Sequence, residues 1–262
     1  MKKPKKILWG VVITLVVLVM VGVIVASAFL GNIVKKGVET VGPQITQVSI
    51  KLDDVHLSLW AGSATIKGLV VGNPEGYQTP QAISAGMIAV GVNPLSVLSD
   101  KIVLRSLDIE SPEITFEGGL SGNNLSKILD NVNASAHAAA QTSTVSTNAT
   151  VQAKPSKKFE LDDLLITGAQ VHVSLTELGG KEMTLSLPPI HLTNLGKNKD
   201  GITAADLTRN ILDAIVTATV KAVSDAGAHL GKNAEGLIKN AGKSAGAGVN
   251  NITKGLGNLL GK

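Results

Sequence analysis

Residues 102–117 read IVLRSLDIESPEITFE, and residues 159–174, 57 positions further on, read FELDDLLITGAQVHVS. In both stretches apolar and polar residues alternate, which is the pattern of a strand with one buried face. A turn signal divides each stretch, Ser111-Pro112 in the first and Gly168-Ala169 in the second. We therefore predict a repeated strand-turn-strand unit that extends a sheet by stacking, with chance similarity between apolar strands as the alternative. The matched apolar positions are Ile102, Leu104, Leu107, Ile109, Ile114 and Phe116, and then Phe159, Leu161, Leu164, Ile166, Val171 and Val173.

Further strands are predicted on both sides of this repeat, because short alternating segments are separated by turn residues such as those at 72–76 and 93–94. The segments are 48–52, 55–59, 65–71 and 82–92 before the repeat, and 181–187 and 190–195 after it. This pattern predicts a mainly β fold with one membrane-spanning helix and a C-terminal helix. The sheet is expected to be a curved antiparallel meander of repeated strand-turn-strand units.

The amphipathic segment from Thr203 to Val223 predicts the C-terminal helix. Thr203 and Asp206 resemble a capping pair at its start. We expect the helix to pack on the open face of the sheet, the alternative being a helix that binds a partner. By contrast, Ala, Ser, Thr, Asn and Gln dominate residues 131–157, which predicts a loop or flexible linker whose alanines form at most a transient helix.

The N-terminal region predicts a membrane anchor. Residues 7–34 carry no charged side chain, and four lysines precede them. At about 1.5 Å per helical residue, the apolar stretch 7–30 is long enough to cross a bilayer core of ~30 Å. The lysines favour a cytoplasmic N-terminus and an exported body. The residues expected in the anchor include Ile7, Leu15, Leu18, Val25 and Leu30.

A cleaved signal peptide is the alternative to this anchor. Ala26-Ser27-Ala28 has the small-x-small pattern of a cleavage site. The apolar stretch before it is longer than the about 7–15 residues of an ordinary signal peptide, which favours a retained anchor. Both interpretations export the body of the chain.

These features divide the chain into seven segments. They are a cytoplasmic basic tail (1–6), a transmembrane anchor (7–30), a juxtamembrane segment (31–44), the first part of the β-sheet (45–130), a low-complexity loop (131–157), the second part of the sheet with its helix (158–226), and a flexible tail rich in Gly and Lys (227–262).

Composition and motifs argue against catalysis, a cofactor and nucleic acid. The chain has no cysteine, aromatic residues make up 2%, and the net charge is +4. Nucleic-acid binders usually concentrate basic residues beside aromatic ones, and this chain does not. The five histidines are scattered without metal-ligand spacing, and the adjacent pairs Asp53-Asp54 and Asp162-Asp163 point to opposite faces of a strand. We therefore expect no enzyme activity, no metal site and no bound cofactor.

The stretch from Val48 to Gly122 resembles the bacterial AsmA-like family. The segments that carry the resemblance are VHLSLWAG at 55–62, IKGLVVGNPEGY at 66–77, VNPLSVLSDKIVL at 92–104 and IESPEITFE at 109–117. Residues 159–173 and the segment LPPIHLTNLG at 187–196 resemble the second unit of that family. With the anchor, the resemblance covers roughly residues 7–223.

This resemblance implies a single-pass protein of the bacterial inner membrane, with its N-terminus in the cytoplasm and its C-terminal domain in the periplasm. Larger members of the family form long curved sheets with an apolar groove that is proposed to carry phospholipid towards the outer membrane. Ten strands at about 4.8 Å spacing reach about 50 Å, too short to bridge a cell envelope alone. The C-terminal helix also competes for the face that a lipid would need.

Three functional hypotheses follow. The first is a module that binds or helps to transfer phospholipid in the cell envelope, with membrane lipids as its partners. The second is a non-catalytic structural or assembly factor whose sheet recruits envelope proteins. The third takes Gly72-Asn73-Pro74 as the mark of a desiccation-protectant β-domain. The sequence sets no oligomeric state. The expected lipid-contact residues are Val55, Leu57, Leu59, Leu104, Leu107, Ile109, Leu161, Leu164 and Ile166.

Overall fold

The computed structural model describes residues 27, 29–58, 60–119, 122–142, 157–174, 182–197 and 200–228. The chain forms two compact units, 1–219 and 220–262. The described part of the second unit, 220–228, is helical and carries an exposed ion pair between Lys221 and Asp225 (2.6 Å). Everything below concerns the first unit.

Three helices and eleven strands are described. The helices are α1 (29–46), α2 (Asn124–Thr142) and α3 (204–228). The strands are β1 (Ile50–Lys51), β2 (Asp54–Ser58), β3 (Ser63–Gly72), β4 (Gln81–Val92), β5 (Lys101–Glu110), β6 (Glu113–Gly119), β7 (Gly122–Asn123), β8 (Lys158–Thr167), β9 (Gln170–Ser174), β10 (Glu182–Ser186) and β11 (Ile190–Leu195). A 3-10 helix, Pro94–Leu98, connects β4 to β5. The mainly β fold is confirmed.

The repeat found in the sequence corresponds to the pairing of neighbouring strands in the sheet. Strand β5 pairs with β8 and β6 pairs with β9, both in parallel, and each residue faces its counterpart 57 positions later. Leu104 lies beside Leu161, and Phe116 lies beside Val173. The two units are therefore stacked side by side, as the repeat predicted. The predicted turn within each unit is only a bend, because β5 and β6 continue in one direction along β4, with Ile109 opposite Ile88 and Glu113 opposite Ser84.

The predicted antiparallel meander is wrong, because the sheet is mixed. Its main path runs β10-β9-β6-β4-β5-β8-β11, with β5–β8 and β6–β9 parallel and the other pairs antiparallel. Two copies of a strand unit that lie side by side in the same direction must pair in parallel. Parallel strands need a crossover connection, usually a helix, and here α2 lies in the connection between β6 and β8.

The predicted low-complexity loop is also wrong over residues 131–142, which belong to helix α2; residues 143–156 lie outside the described part. Apolar side chains recur at helical spacing along α2 and are buried, so the helix is stabilised by packing in spite of its polar composition. Asn123 caps its start, since its side-chain oxygen accepts a hydrogen bond from the Ser126 amide (2.9 Å). The buried residues are Leu125, Ile128, Val132 and Ala136.

Helix α1 precedes the short strands β1 and β2 in the chain and lies alongside them at one edge of the sheet. The Glu39 carboxylate accepts a hydrogen bond from the Leu52 amide (3.0 Å), and the Lys35 ammonium donates to the Asp53 carbonyl oxygen (2.8 Å). These side chains occupy backbone groups of the β1–β2 segment that β3 does not pair. The helix therefore closes this margin of the sheet.

The start of α3 confirms the predicted capping pair. The Thr203 hydroxyl oxygen accepts a hydrogen bond from the Asp206 amide (3.0 Å) and donates one to the Asp206 carboxylate (2.7 Å). The predicted end at Val223 is short of the observed end at residue 228. Within the first unit, the helix buries Ala205, Leu212, Ile215, Val216 and Thr219.

The described helices do not include one that is long and apolar enough to span a membrane. The predicted anchor at 7–30 falls almost wholly outside the described residues, and so do most of the predicted tail at 227–262 and the anchor residues Ile7, Leu15, Leu18 and Val25.

A cysteine pair tests the parallel register. The chain has no native cysteine, and Thr115 pairs directly with His172 on neighbouring strands. We expect Thr115→Cys/His172→Cys to form an intrachain disulfide on mild oxidation, because adjacent strands bring the two Cα atoms within the about 4.4–6.8 Å that a disulfide spans. The pair Thr115→Cys/Ser174→Cys, two residues out of register, should stay reduced. Intact mass under non-reducing conditions distinguishes the two results, and the opposite pattern would contradict the parallel pairing.

Candidate functional site

A groove lined by apolar side chains lies on one face of the sheet. It encloses about 300 Å³ and is built from α1, β2, β3, β4, the 3-10 helix, β5 and the first residues of β8. Among its lining residues the only polar side chains are those of Ser58 and Ser63. Such a lining gives a ligand no charged group to bind and favours an apolar guest.

The floor of the groove is a buried cluster that joins strands β3 and β4. Ala64 pairs with Val90, and Val90 pairs in turn with Leu107, so these three side chains share a face across three strands. Because Ala64 ends in a single methyl group, a space remains above it that a larger residue would fill. The cluster proper consists of Ala64, Ala85, Ile88 and Val90.

Helix α1 forms one wall. A Cβ atom added at Gly31 would collide with the carbonyl oxygen of Val55, so glycine is what lets the helix backbone touch β2. This close approach brings Leu30 and Val34 to the lining of the groove. None of the lining residues comes from α3, so the competition expected between a lipid and the C-terminal helix does not occur at this groove.

Four of the predicted lipid-contact residues line the groove: Val55, Leu57, Leu104 and Leu107. Ile109 lies next to it, packed against the buried cluster of the floor. Leu59 lies outside the described residues.

The other three, Leu161, Leu164 and Ile166, are not among the lining residues and are 0–1% exposed. They share a face with the groove residues of β5, since Leu104 pairs with Leu161 and Leu107 with Leu164. Coverage therefore increases from β5 to β8 along the same face, and Phe159 is the residue of β8 that lines the groove. Strand periodicity gives the face of a residue but not what covers that face.

Sequence reasoning missed the residues that close the groove. Ile102 and Phe159 line it and were already visible as the first matched pair of the repeat. Pro94 and Val97 of the 3-10 helix had only a turn signal. Leu30 was assigned to the membrane anchor and Val34 to the juxtamembrane segment, so neither was predicted to line the groove.

A polar cluster beneath the turn at 73–79 is the other place where functional groups meet. The buried Glu117 carboxylate accepts hydrogen bonds from the amides of Gln78 (2.6 Å) and Thr79 (2.9 Å) and from the Thr79 hydroxyl (2.5 Å). The Asn124 side chain accepts from the Glu117 amide (3.0 Å) and donates to Asn73 (2.8 Å). These bonds tie the turn to β6 and to the start of α2.

The protonation state of this cluster fits a structural role. Burial alone raises the pKa of Glu117, but the hydrogen bonds from Gln78 and Thr79 outweigh it, so the pKa lies below its ordinary value of 4.5. Burial also raises the pKa of Tyr77, and the negative charge of Glu117 adds to that effect. A carboxylate held ionised by three donors is a poor general base. Asn73 of the Gly72-Asn73-Pro74 motif thus serves to hold the turn.

No group of three or more potential metal ligands occurs among the described residues. His191 forms an ion pair with Asp163 (2.6 Å), and both side chains are largely exposed. His172 contacts the Thr184 hydroxyl (3.2 Å). Exposed pairs of this kind contribute little and mark no site.

The chain belongs to the AsmA family, whose family model matches residues 1–187. Comparison with curated proteins and with solved structures gave no match. Membership of this family is consistent with a role in envelope lipid transport or envelope assembly.

The Glu117 cluster makes an acid-dependent contribution to stability that a variant can isolate. Glu117→Gln places an amide donor against the donors of Gln78 and Thr79, so we expect the free energy of unfolding to fall by about 1–3 kcal/mol at neutral pH. Because folding lowers the pKa of Glu117, its contribution is present above 4.5 and is lost as the pH falls through the lowered value.

The difference between wild type and Glu117→Gln should therefore narrow as the pH drops below 4.5. Urea unfolding of the purified full chain, followed by circular dichroism across this pH range, measures it. Glu113→Gln is the matched control, since Glu113 is exposed on the same strand. A constant difference at every pH would contradict the role given to the Glu117 carboxylate.

Proposed function

We propose that this protein is a non-catalytic membrane-anchored module of the cell envelope that holds a phospholipid acyl chain in its groove. The observation that carries the proposal is the groove itself, about 300 Å³ bounded by apolar side chains on a family member linked to the envelope. Burying hydrocarbon against such a lining is favourable by about 25 cal/mol per Å² of apolar surface. No charged side chain in the lining opposes it.

The size of the groove specifies the part of the lipid that it accepts. Pockets for drug-sized ligands span roughly 300–1,000 Å³, so this one lies at the small end. One acyl chain fits such a volume better than a whole diacyl lipid. The phosphate headgroup would remain outside, where water and exposed polar residues solvate it.

The absence of catalytic activity is part of the proposal. The two lining hydroxyls, Ser58 and Ser63, share the groove with no His, Lys, Asp or Glu. A serine needs a neighbouring base to become a nucleophile, and the groove supplies none. The module would bind and hand over lipid without changing it.

The anchor is proposed from the sequence and from its relation to the groove. Residues 7–30 have the length and composition of a single membrane span, with the four lysines favouring a cytoplasmic N-terminus. Leu30 belongs both to that span and to the groove lining. An anchor joined in this way would hold the groove at the periplasmic surface of the inner membrane.

A scaffold or assembly role is the second candidate, and the edge of the sheet formed by β10 and β11 favours it. Strands β10 and β11 terminate the path of paired strands within the described chain. Such terminal strands have backbone groups available for an added strand of an envelope partner. The groove would then be only a packing defect.

Site-specific photocross-linking separates the two candidates. A small diazirine amino acid at Leu107 should form a phospholipid adduct in cells, because Leu107 lines the groove. Leu107 lies about 20 Å along strand β5 from Lys101, the first residue of that strand. The same probe at Met87 is the control, since Met87 is exposed and neighbours Ile88, which points into the floor cluster, so it faces the other side of the sheet. Mass spectrometry of the purified chain detects the adduct.

A lipid adduct at Leu107 and none at Met87 supports the proposal. Equal labelling at both positions would show only general contact with membrane. No adduct at either position, together with protein cross-links at β10 or β11, would favour the assembly role.

The anchor is tested by the mass of the mature protein. We expect the chain purified from membranes to retain its N-terminal residues, because its apolar stretch exceeds the length of an ordinary signal peptide. Intact mass spectrometry checks this. A mass that corresponds to cleavage after Ala28 would instead make the protein a soluble carrier.

A further inference from the structure

The mouth of the groove carries most of the large apolar side chains that the described structure leaves exposed. Trp60 is 81% exposed, Leu95 is 83% and Leu98 is 89%. Phe29 and Ile33 of α1 are also exposed, and they flank Leu30 and Val34 of the groove lining. We call these five residues the mouth surface.

Two connections place the mouth surface at one end of the sheet. Trp60 lies in the β2–β3 turn, while Leu95 and Leu98 lie in the 3-10 helix between β4 and β5. The two turns touch, because the Gly62 carbonyl oxygen accepts a hydrogen bond from the Val92 amide (2.7 Å). A Cβ added at Gly62 would meet the Pro94 ring at 3.1 Å.

Hydrogen bonds within the 3-10 helix and from neighbouring residues occupy its polar groups, while Leu95 and Leu98 are exposed. Asn93 caps the Leu95 amide (3.2 Å), and the Ser96 hydroxyl accepts from the Val103 amide (2.9 Å). The Lys157 ammonium donates to the carbonyl oxygens of Val97 (2.7 Å) and Ser99 (2.9 Å). A turn with satisfied backbone groups and bare leucines can enter an apolar medium at low cost.

The sequence before Phe29 indicates which apolar medium the mouth surface contacts. Phe29 begins the described run of α1, and the sequence immediately before it is the uncharged stretch from Ile7. The mouth surface therefore lies where the proposed anchor leaves the membrane. With the proposed anchor, the bilayer would be the apolar medium next to Trp60 and the two leucines.

Charge at the mouth agrees with a lipid surface. Lys36 is exposed two residues after Val34, whereas the ammonium groups of Lys157 and Lys35 donate to the carbonyl oxygens of Val97 and Asp53. Lysine side chains reach from an apolar surface to phosphate oxygens. Tryptophan is the aromatic residue typical of the membrane interface.

We propose that the mouth surface is inserted in the interfacial layer of the anchoring membrane, so that the groove opens directly to the bilayer and not to water. This contact rests on the membrane anchor of the proposed function, but it does not require the groove to hold a lipid.

Tryptophan fluorescence tests the insertion. The chain has two tryptophans, so Trp9→Phe leaves Trp60 as the single reporter. The full chain carrying this change is reconstituted in phosphatidylethanolamine/phosphatidylglycerol vesicles, with and without phospholipid brominated along its acyl chains. We expect blue-shifted emission, quenching by the brominated lipid and protection from aqueous iodide.

A second variant shows whether the leucines hold Trp60 at this depth. Adding Leu95→Ser and Leu98→Ser should remove most of the lipid quenching and restore quenching by iodide. Adding Met87→Ser, an exposed apolar residue on another part of the sheet, should change neither signal. All these positions are exposed, and circular dichroism verifies that each variant remains folded.

Two results would overturn the proposal. Quenching of Trp60 by iodide and not by brominated lipid would place the mouth surface in water. Protection from both quenchers would show that protein covers it, whether another segment of this chain, a second copy or a partner. Because neither reading depends on groove occupancy, a failed insertion test leaves the Leu107 cross-link to be judged separately.

Discussion

The parallel pairing of β5–β6 with β8–β9 is the constraint on which the rest of the structure depends. Each side chain of the first unit lies beside its counterpart on the same face, so the apolar residues of both units form one continuous surface. Two neighbouring strand units that run in the same direction cannot be joined by a tight turn. The chain therefore needs a long return segment, and that segment supplies α2, which contacts β6.

A matched irregularity keeps the pairing in register. Apolar residues step by three in both units, from Leu104 to Leu107 and from Leu161 to Leu164, where a regular strand steps by two. A single unmatched step of this kind would turn the rest of one strand to the wrong face. Both strands shift at the same level, and β4 shifts between Gly91 and Val92 opposite them. Because both strands shift together, the offset of 57 between paired residues stays constant along them.

Much of the sheet could be predicted from local patterns. Strand β11 has the predicted bounds, most other strands differ by one or two residues, and Thr203 caps α3 as expected. Direction was missed because alternation is the same in parallel and antiparallel strands. Helix α2 was missed because its polar composition hid four buried positions, from Leu125 to Ala136, that only their partners reveal.

The groove was half predictable for a related reason. Periodicity correctly placed Leu104 and Leu107 on the same face as Leu161 and Leu164, yet only the first two meet the cavity. Whether a residue on a given face is core or lining depends on which neighbouring element covers it. Small residues decide this locally: Ala64 leaves room at the floor, and Gly31 admits the wall. Neither is conspicuous in a sequence.

The dimensions of the sheet bear on how such a groove would work. The described sheet is six strand rows wide, because β1 and β2, β5 and β6, β8 and β9, and β10 and β11 each continue along one row. At a spacing of about 4.8 Å it spans about 25 Å, less than the thickness of a bilayer with its headgroups. A groove of this reach cannot carry lipid between membranes by itself. Leu30 lines the cavity. Because it also ends the proposed anchor, the proposed function would tie the groove to a single membrane surface. On the proposed function, the module therefore takes an acyl chain from the membrane that anchors it, and any longer transfer requires a partner placed at the far end of the groove.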